Sequence, residues 1–213
     1  DPNVKGAAEF TLAQAQASFG SPDQSLKTMS ALIASTAVPE HYKDRIRVWQ
    51  TAVQYQKNHH AAAAQASWEE LMKKRPDDPE LSAEILDACS RVRLECPALL
   101  QKAAAAVEAG DGKKFMVLNS ALGRYLLTRT DSARALVHLE AGRDKSNKNK
   151  IESNDPVMLV SLADAYYRSK KFSEALEIYF EMSKRFPEVR QIQEAMQGVY
   201  AMEHKSAGDV KIN

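Results

Sequence analysis

The chain has 213 residues, 44% of them hydrophobic, and its 29 basic and 28 acidic residues leave a formal net charge of +1. This near-balance argues against a dedicated nucleic-acid binder, which usually carries a basic excess on one face. No stretch approaches the roughly 20 apolar residues that span a bilayer, so no direct membrane span is expected. The chain begins at Asp1, not at methionine, and shows no secretory signal. We therefore expect a processed or cut form of a soluble chain, from the cytoplasm or the periplasm, and the sequence leaves the choice of compartment open.

Helix-forming residues dominate the composition. There are eight glycines and eight prolines, whereas alanine forms unbroken runs at 61–64 and 103–106. Alanine is the best helix former, and its small side chain lets helices approach closely. The sequence therefore predicts an all-α chain.

Helix pairs follow one another from the amino terminus. The first pair is faint: Leu12 and Ala13 lie on its first helix, residues 22–33 form its second, and Pro39 follows. The second pair is marked by small and aromatic residues at fixed intervals, followed by a proline. These residues are Ala52, Tyr55, Ala64, Trp68 and Pro76.

The next two pairs are less regular. Residues 79–112 predict a divergent pair, with helices at 79–95 and 97–109, that lacks the small and aromatic pattern. A fourth pair lies at 121–142, and a polar, lysine-rich loop is expected at 143–154. The residues that mark the fourth pair are Leu122, Gly123, Leu126, Ala135 and Leu139.

The fifth pair repeats the internal spacing of the second, with Ala163, Tyr166, Ala175, Tyr179 and Pro187. The dipeptides Asp78-Pro79 and Asp155-Pro156 each place a capping carboxylate before a proline at the first helical position. A last helix at 189–205 places Tyr200 34 residues after Tyr166. It holds Gln197 where the other pairs have a small residue, which is typical of a solvated capping helix.

These spacings resemble the tetratricopeptide repeat, a helix–turn–helix unit of about 34 residues in which small side chains let the two helices touch. The resemblance implies an all-α, right-handed superhelix of about five helix pairs with a C-terminal capping helix. It implies a single domain over residues 1–205 and a tail at 206–213. The expected units span residues 6–39, 45–78, 79–112, 116–149 and 156–189, and the capping helix spans 190–204.

In this family, the first helices of the pairs line a concave groove that binds partners. The resemblance carries this role over to Trp49, Gln50, Val53, Lys57, Arg124, Leu127, Val160, Asp164, Tyr167 and Arg168. Trp49 and Val53 have an alternative role, which is to pack against the next helix pair. The basic clamp with which some repeats hold the acidic carboxyl tails of chaperones is missing, so no binding of such tails is expected.

The resemblance implies a noncatalytic scaffold that binds a peptide or a helix of another protein in its groove. Two alternatives stay open: a self-assembling oligomeric platform in a bacterial envelope or secretion complex, and a regulatory helical domain that binds a small ligand. No catalytic residue, cofactor or metal site is predicted. His59 and His60 are adjacent in a turn, which does not place them together as an i, i+4 helix pair would. AGDGKK at 109–114 lacks the full pattern of a phosphate loop.

Cys89 and Cys96 stand seven positions apart. The simpler interpretation is two buried thiols, since free cysteine behaves as a small apolar side chain. On one continuous helix their Cα atoms would lie about 10 Å apart, which is too far for a disulfide. Pro97 is predicted to break the helix, and a bond across that bend is the alternative, which would indicate an oxidising compartment.

Overall fold

The computed structural model describes residues 2–109, 113–143 and 155–209, and every regular element within these ranges is an α-helix. The all-α prediction is therefore confirmed. The helices are α1 (Pro2–Ser18), α2 (Pro22–Ala34), α3 (Glu40–Asn58), α4 (Ala61–Lys74), α5 (Pro79–Val92), α6 (Pro97–Ala109), α7 (Lys113–Thr128), α8 (Ser132–Gly142), α9 (Pro156–Arg168), α10 (Phe172–Arg185) and α11 (Arg190–Asp209).

The helices belong to two compact units, residues 1–109 and 110–213. The first unit contains α1–α6 and the second contains α7–α11. The boundary lies in the AGDGKK segment, between the third and fourth of the predicted helix pairs.

In the first unit, α3 lies at the centre. It contacts α1, α2, α4 and α5, and the pairs α1–α2, α3–α4 and α5–α6 each pack together. Trp68 of α4 is buried, and its Nε1 donates to the carbonyl oxygen of Val48 on α3 at 3.2 Å. The indole thus packs with its one donor satisfied. The other large, fully buried side chains of this unit are Met29, Ile46, Ile85 and Leu86.

In the second unit, α7 packs with α8, α9 packs with α10, and α11 packs on α10. Contacts of α9 with α7 and α8 join the two pairs. The core between these helices is aliphatic. Its large, fully buried side chains are Leu118, Leu122, Leu139, Met158, Leu159, Leu162 and Ile178.

Small residues lie where paired helices cross. Ala163 and Ala175 of the α9–α10 pair are buried, and so are Ala52 and Ala64 of the α3–α4 pair. At Gly123 of α7, an added Cβ atom would lie 2.5 Å from the Cγ atom of Leu139 on α8, closer than real Cβ contacts come. The close approach that small side chains were predicted to allow is therefore seen at Gly123, and the four alanines have the burial that it requires.

Aspartate residues cap three helices. Asp78 accepts a hydrogen bond from a first-turn N–H of α5 at 2.9 Å, and Asp155 accepts from two first-turn N–H groups of α9. Each precedes a proline at the first helical position. Proline has no N–H, but an N–H at this position would have no partner within the helix, so no hydrogen bond is lost. Both predicted caps are confirmed, and Asp131 caps α8 in the same way.

Each turn within a helix pair contains one residue with a positive φ angle. The turn between α1 and α2 uses Gly20, with φ of 86°. The corresponding turns after α3, α5, α7 and α9 use His59, Arg93, Thr130 and Lys170, with φ angles of 57°, 56°, 63° and 59°. This left-handed conformation turns the chain away from the end of a helix.

The Sγ atoms of Cys89 and Cys96 are bonded to each other. The structure therefore has the disulfide across the bend, not two free thiols. α5 ends at Val92 and α6 begins at Pro97, and the bend between them brings the two Cα atoms to 6.8 Å. The N–H of Leu94 donates to the carbonyl oxygen of Cys89 at 3.0 Å within this bend. The divergent third pair is therefore linked covalently.

Three predicted features lie partly or wholly outside the described residues. They are residues 144–154 of the lysine-rich loop, residues 110–112 of the AGDGKK turn, and residues 210–213 of the tail. The tail predicted from residue 206 begins as helix, because α11 continues to Asp209.

Candidate functional site

Trp49, a predicted groove residue of the first unit, links α3 to α5. Its side chain is buried, and its Nε1 donates to the Glu84 carboxylate. The same carboxylate pairs with Arg45 at 2.9 Å, and the Arg91 guanidinium carbon lies 5.5 Å from the centroid of the indole. Trp49 thus packs against the next helix pair, which was the alternative role predicted for it.

The other predicted residues of α3 also contact their own chain. Val53 is buried. Gln50 Nε2 donates to Ser30 Oγ at 2.9 Å, and Lys57 Nζ pairs with the Asp23 carboxylate. In the first unit, two of the predicted groove residues are therefore buried, and the other two make polar contacts at the surface of their own chain.

Arg124 and Leu127 of α7 lie against α9 in the second unit. One guanidinium nitrogen of Arg124 is 3.8 Å from the carboxylate of Asp155, which caps α9. Leu127 is buried, and its carbonyl oxygen accepts a hydrogen bond from Arg168 at 3.3 Å. Both residues therefore contact α9.

The outward face of α9 exposes two large apolar side chains, those of the predicted groove residue Val160 and of its neighbour Val157. Val157 and Val160 are 61% and 39% exposed, although both side chains are large and apolar. Residues three apart on a helix are neighbours on its surface. The Ser161 hydroxyl beside them donates to the Val157 carbonyl oxygen at 2.8 Å. The polar group on this face is thus already hydrogen-bonded, and its apolar groups face solvent.

A fixed ion pair lies on the same face towards the end of α9. Arg168 Nε is 3.0 Å from one carboxylate oxygen of Asp164, and a terminal guanidinium nitrogen is 2.8 Å from the other. This bidentate geometry orients both side chains, and the two charges cancel. The face therefore presents a preorganised polar end without net charge.

Two tyrosines belong to the α9–α10 pair, and Tyr179 interacts with the Asp164–Arg168 ion pair. Tyr167 is half-buried, and its ring packs against Phe172 with a centroid separation of 5.9 Å. Tyr179 is buried, and this burial raises the pKa of its phenol; the Asp164 carboxylate raises it further, while Arg168 lowers it. The Tyr179 hydroxyl therefore keeps its proton at neutral pH.

Val117 is an exposed residue that the predicted groove set omits. It is 48% exposed on α7, and it precedes Gly123 by the same interval at which Val157 precedes Ala163. Because α7 and α9 contact each other, these valines occupy equivalent positions on neighbouring helices. The repeat register alone identifies Val117. We call Val117, Val157 and Val160 the valine strip.

A cavity lies in the first unit, and the described residues contain no cluster of metal ligands. Among the described residues, no three His, Cys, Asp or Glu side chains are placed to hold a metal ion. A cavity of about 170 Å³ between α4, α5 and α6 is lined by Trp68, Met72 and Ile85, and the ionisable side chain of Glu69 lies at it. Small-molecule sites typically have volumes of about 300–1,000 Å³, so this cavity is small for such a ligand.

None of the helices in the described ranges has both the length and the apolar character needed to cross a membrane.

No protein-family model matches the sequence, and none of the curated proteins matches it. Solved structures do resemble the fold. One is a signal transduction ATPase with numerous domains (STAND protein) with a tetratricopeptide repeat sensor, from Pyrococcus horikoshii. The TM-score is 0.54 at 15% sequence identity, over 93% of this chain and 32% of the other. This likeness confirms the fold expected from the spacing, a tetratricopeptide-like arrangement of helix pairs.

Proposed function

We propose that the chain is a noncatalytic protein-interaction module, and that the valine strip binds a peptide or a helix of a partner protein. The observation that carries this proposal is the exposure of Val157 and Val160 beside the fixed Asp164–Arg168 pair. A helical-repeat fold supports an interaction or sensing role. Exposed apolar side chains that adjoin satisfied polar groups are typical of protein-binding surfaces.

The strip defines the chemistry of the partner segment. Its three valines favour apolar anchor residues, and burial of the part that each still exposes contributes up to about 1 kcal/mol. The ion pair at the end of α9 favours polar, uncharged groups, because Asp164 already neutralises Arg168. A segment with regularly spaced apolar residues is therefore the expected ligand, and an acidic carboxyl tail is not.

Peptides selected from a displayed random library on the immobilised chain provide the test. Combined replacement Val157→Asp and Val160→Asp puts two charges into the strip and should weaken the selected peptides by about tenfold or more. Fluorescence anisotropy measures this affinity. Val137→Asp is the matched control, because Val137 is 66% exposed on α8 and lies outside the strip; it should leave the affinity unchanged.

Circular dichroism should show the same helicity for both variants as for the unmodified chain. Equal affinity of the peptides for the unmodified chain and the doubly substituted variant would place the binding surface elsewhere. Light scattering at several concentrations separates this role from self-assembly, which predicts a mass that rises with protein concentration.

A further inference from the structure

α11 exposes the positions that its counterparts α7 and α9 bury. The residue at the crossing with the paired helix is Gly123 in α7 and Ala163 in α9, and both are buried. The corresponding residue of α11 is Gln197, which is exposed. Three residues further along each helix, Tyr166 of α9 is 8% exposed whereas Tyr200 of α11 is 56% exposed.

An apolar groove lies beside these residues. It has a volume of about 620 Å³ between α10 and α11. Leu176 and Phe180 line it from α10, and Met196, Gln197 and Tyr200 line it from α11. Phe180 is itself largely exposed, although it is one of the most apolar side chains of the second unit.

The second unit itself shows what covers such a face. α8 packs on α7 and α10 packs on α9, each reached through a short turn that makes the pair antiparallel. Ala135 of α8 and Ala175 of α10 are the small residues of these two pairs, and both are buried. The corresponding face of α11 has no covering helix in the described part of the chain.

Two details of this face define the helix that would complement it. Gln193 and Gln197 replace the apolar Leu159 and the small Ala163 of α9, and such polar side chains keep the face compatible with water when it is empty. Glu177 lines the groove and is exposed, and it makes no ion pair with any described residue. A basic residue on the covering helix would complement it.

We propose that the groove between α10 and α11 binds an amphipathic helix of a partner protein, antiparallel to α11. The helix would carry a small residue where it crosses Gln197, apolar residues against Phe180 and Tyr200, and a basic residue opposite Glu177. This site uses different residues from the valine strip, so it is a second interaction surface on the same unit.

A labelled synthetic peptide of residues 170–187 is the probe, because it contains α10, the helix that packs on α9. We expect saturable binding to the full chain in fluorescence anisotropy. Tyr200→Asp should weaken this binding by about tenfold or more, because it puts a charge into the apolar groove. Gln197→Ala should strengthen it, because it restores a small residue at the crossing. The combined Val157→Asp and Val160→Asp variant should bind the probe like the unmodified chain, which separates this site from the valine strip.

Absence of saturable binding, or equal binding by the unmodified chain and the Tyr200→Asp variant, overturns the proposal. Sedimentation velocity gives a further test: a dimer of the chain alone that Tyr200→Asp abolishes would mean that a second copy covers the groove, and the partner-helix proposal would be wrong. If Tyr200→Asp lowers the helicity of the chain, the test rests on Gln197→Ala, which changes an exposed residue. A Gln197→Ala variant that binds the probe with unchanged affinity would contradict the proposal.

Discussion

Gly123 and Gly198 both lie inside helices, where glycine costs about 1 kcal/mol relative to alanine. An added Cβ atom on Gly123 would lie 2.5 Å from Leu139 Cγ and 3.0 Å from the Ala135 carbonyl oxygen. An added Cβ atom on Gly198 would meet nothing within 4 Å. Packing against α8 therefore requires glycine at position 123, and no contact within the described chain requires it at position 198.

Gly123→Ala is expected to lower the free energy of unfolding by about 1–2 kcal/mol, because overpacking at the crossing outweighs the gain in helix propensity. Gly198→Ala is the matched control and should raise that free energy by up to about 1 kcal/mol. Chemical denaturation followed by circular dichroism measures both. A more stable Gly123→Ala variant would contradict the close crossing of α7 and α8.

Local spacing identified the small residues at the helix crossings, but it could not decide the role of Trp49. The small residues at a crossing depend only on neighbours within one helix pair, and the repeat pattern describes such pairs. The role of Trp49 depends on Glu84, which lies 35 residues further along the chain and belongs to another helix pair. The exposure of Val157 and Tyr200 likewise depends on which helix is present or absent beside them, and single-sequence spacing does not report this.

Among the helices, α5 and α6 are joined differently from the other pairs. The α3–α4 and α9–α10 pairs have small residues at the crossing and a large aromatic beside them, as the buried Trp68 and Tyr179 show. The α5–α6 pair lacks this pattern and has the Cys89–Cys96 bond. Helix starts were predictable because a cap is a local interaction. The bond was not, because it depends on the separation of two Cα atoms across a bend.

Cys89→Ser is expected to lower the free energy of unfolding by about 2–3 kcal/mol, because the bond closes a short loop and restricts the unfolded chain. Denaturation under non-reducing conditions measures this loss. The unmodified chain in the presence of a reductant should show a similar loss and serves as the control. Two reactive thiols in the denatured, unreduced chain would show that the bond does not form.

Considered as a whole, the chain divides into two compact units, and the division falls within the AGDGKK segment of the sequence. The repeat spacing predicted the succession of helix pairs but not this division, because every pair follows the same internal rule. The right-handed superhelix and the single domain over 1–205 stay predictions. The candidate binding surfaces both belong to the second unit, where α9 and α11 carry exposed apolar side chains on helices that the repeat register aligns.

In four of the five turns the left-handed residue carries a side chain, and replacing that residue with glycine is a route to a more heat-resistant chain. A side chain in this conformation costs about 1–2 kcal/mol, and β-branched residues suit it least. Thr130→Gly is therefore expected to raise the melting temperature. The free energy of unfolding should rise by about 0.5–1 kcal/mol, because the relief of backbone strain exceeds the cost of the greater freedom of glycine in the unfolded chain. Gly20→Ala is the inverse substitution and should lower the melting temperature, since open space surrounds Gly20 and only its backbone angle opposes a side chain. A Thr130→Gly variant that melts earlier would show that the threonine hydroxyl, which donates to the Arg129 carbonyl oxygen at 2.6 Å, compensates for its backbone.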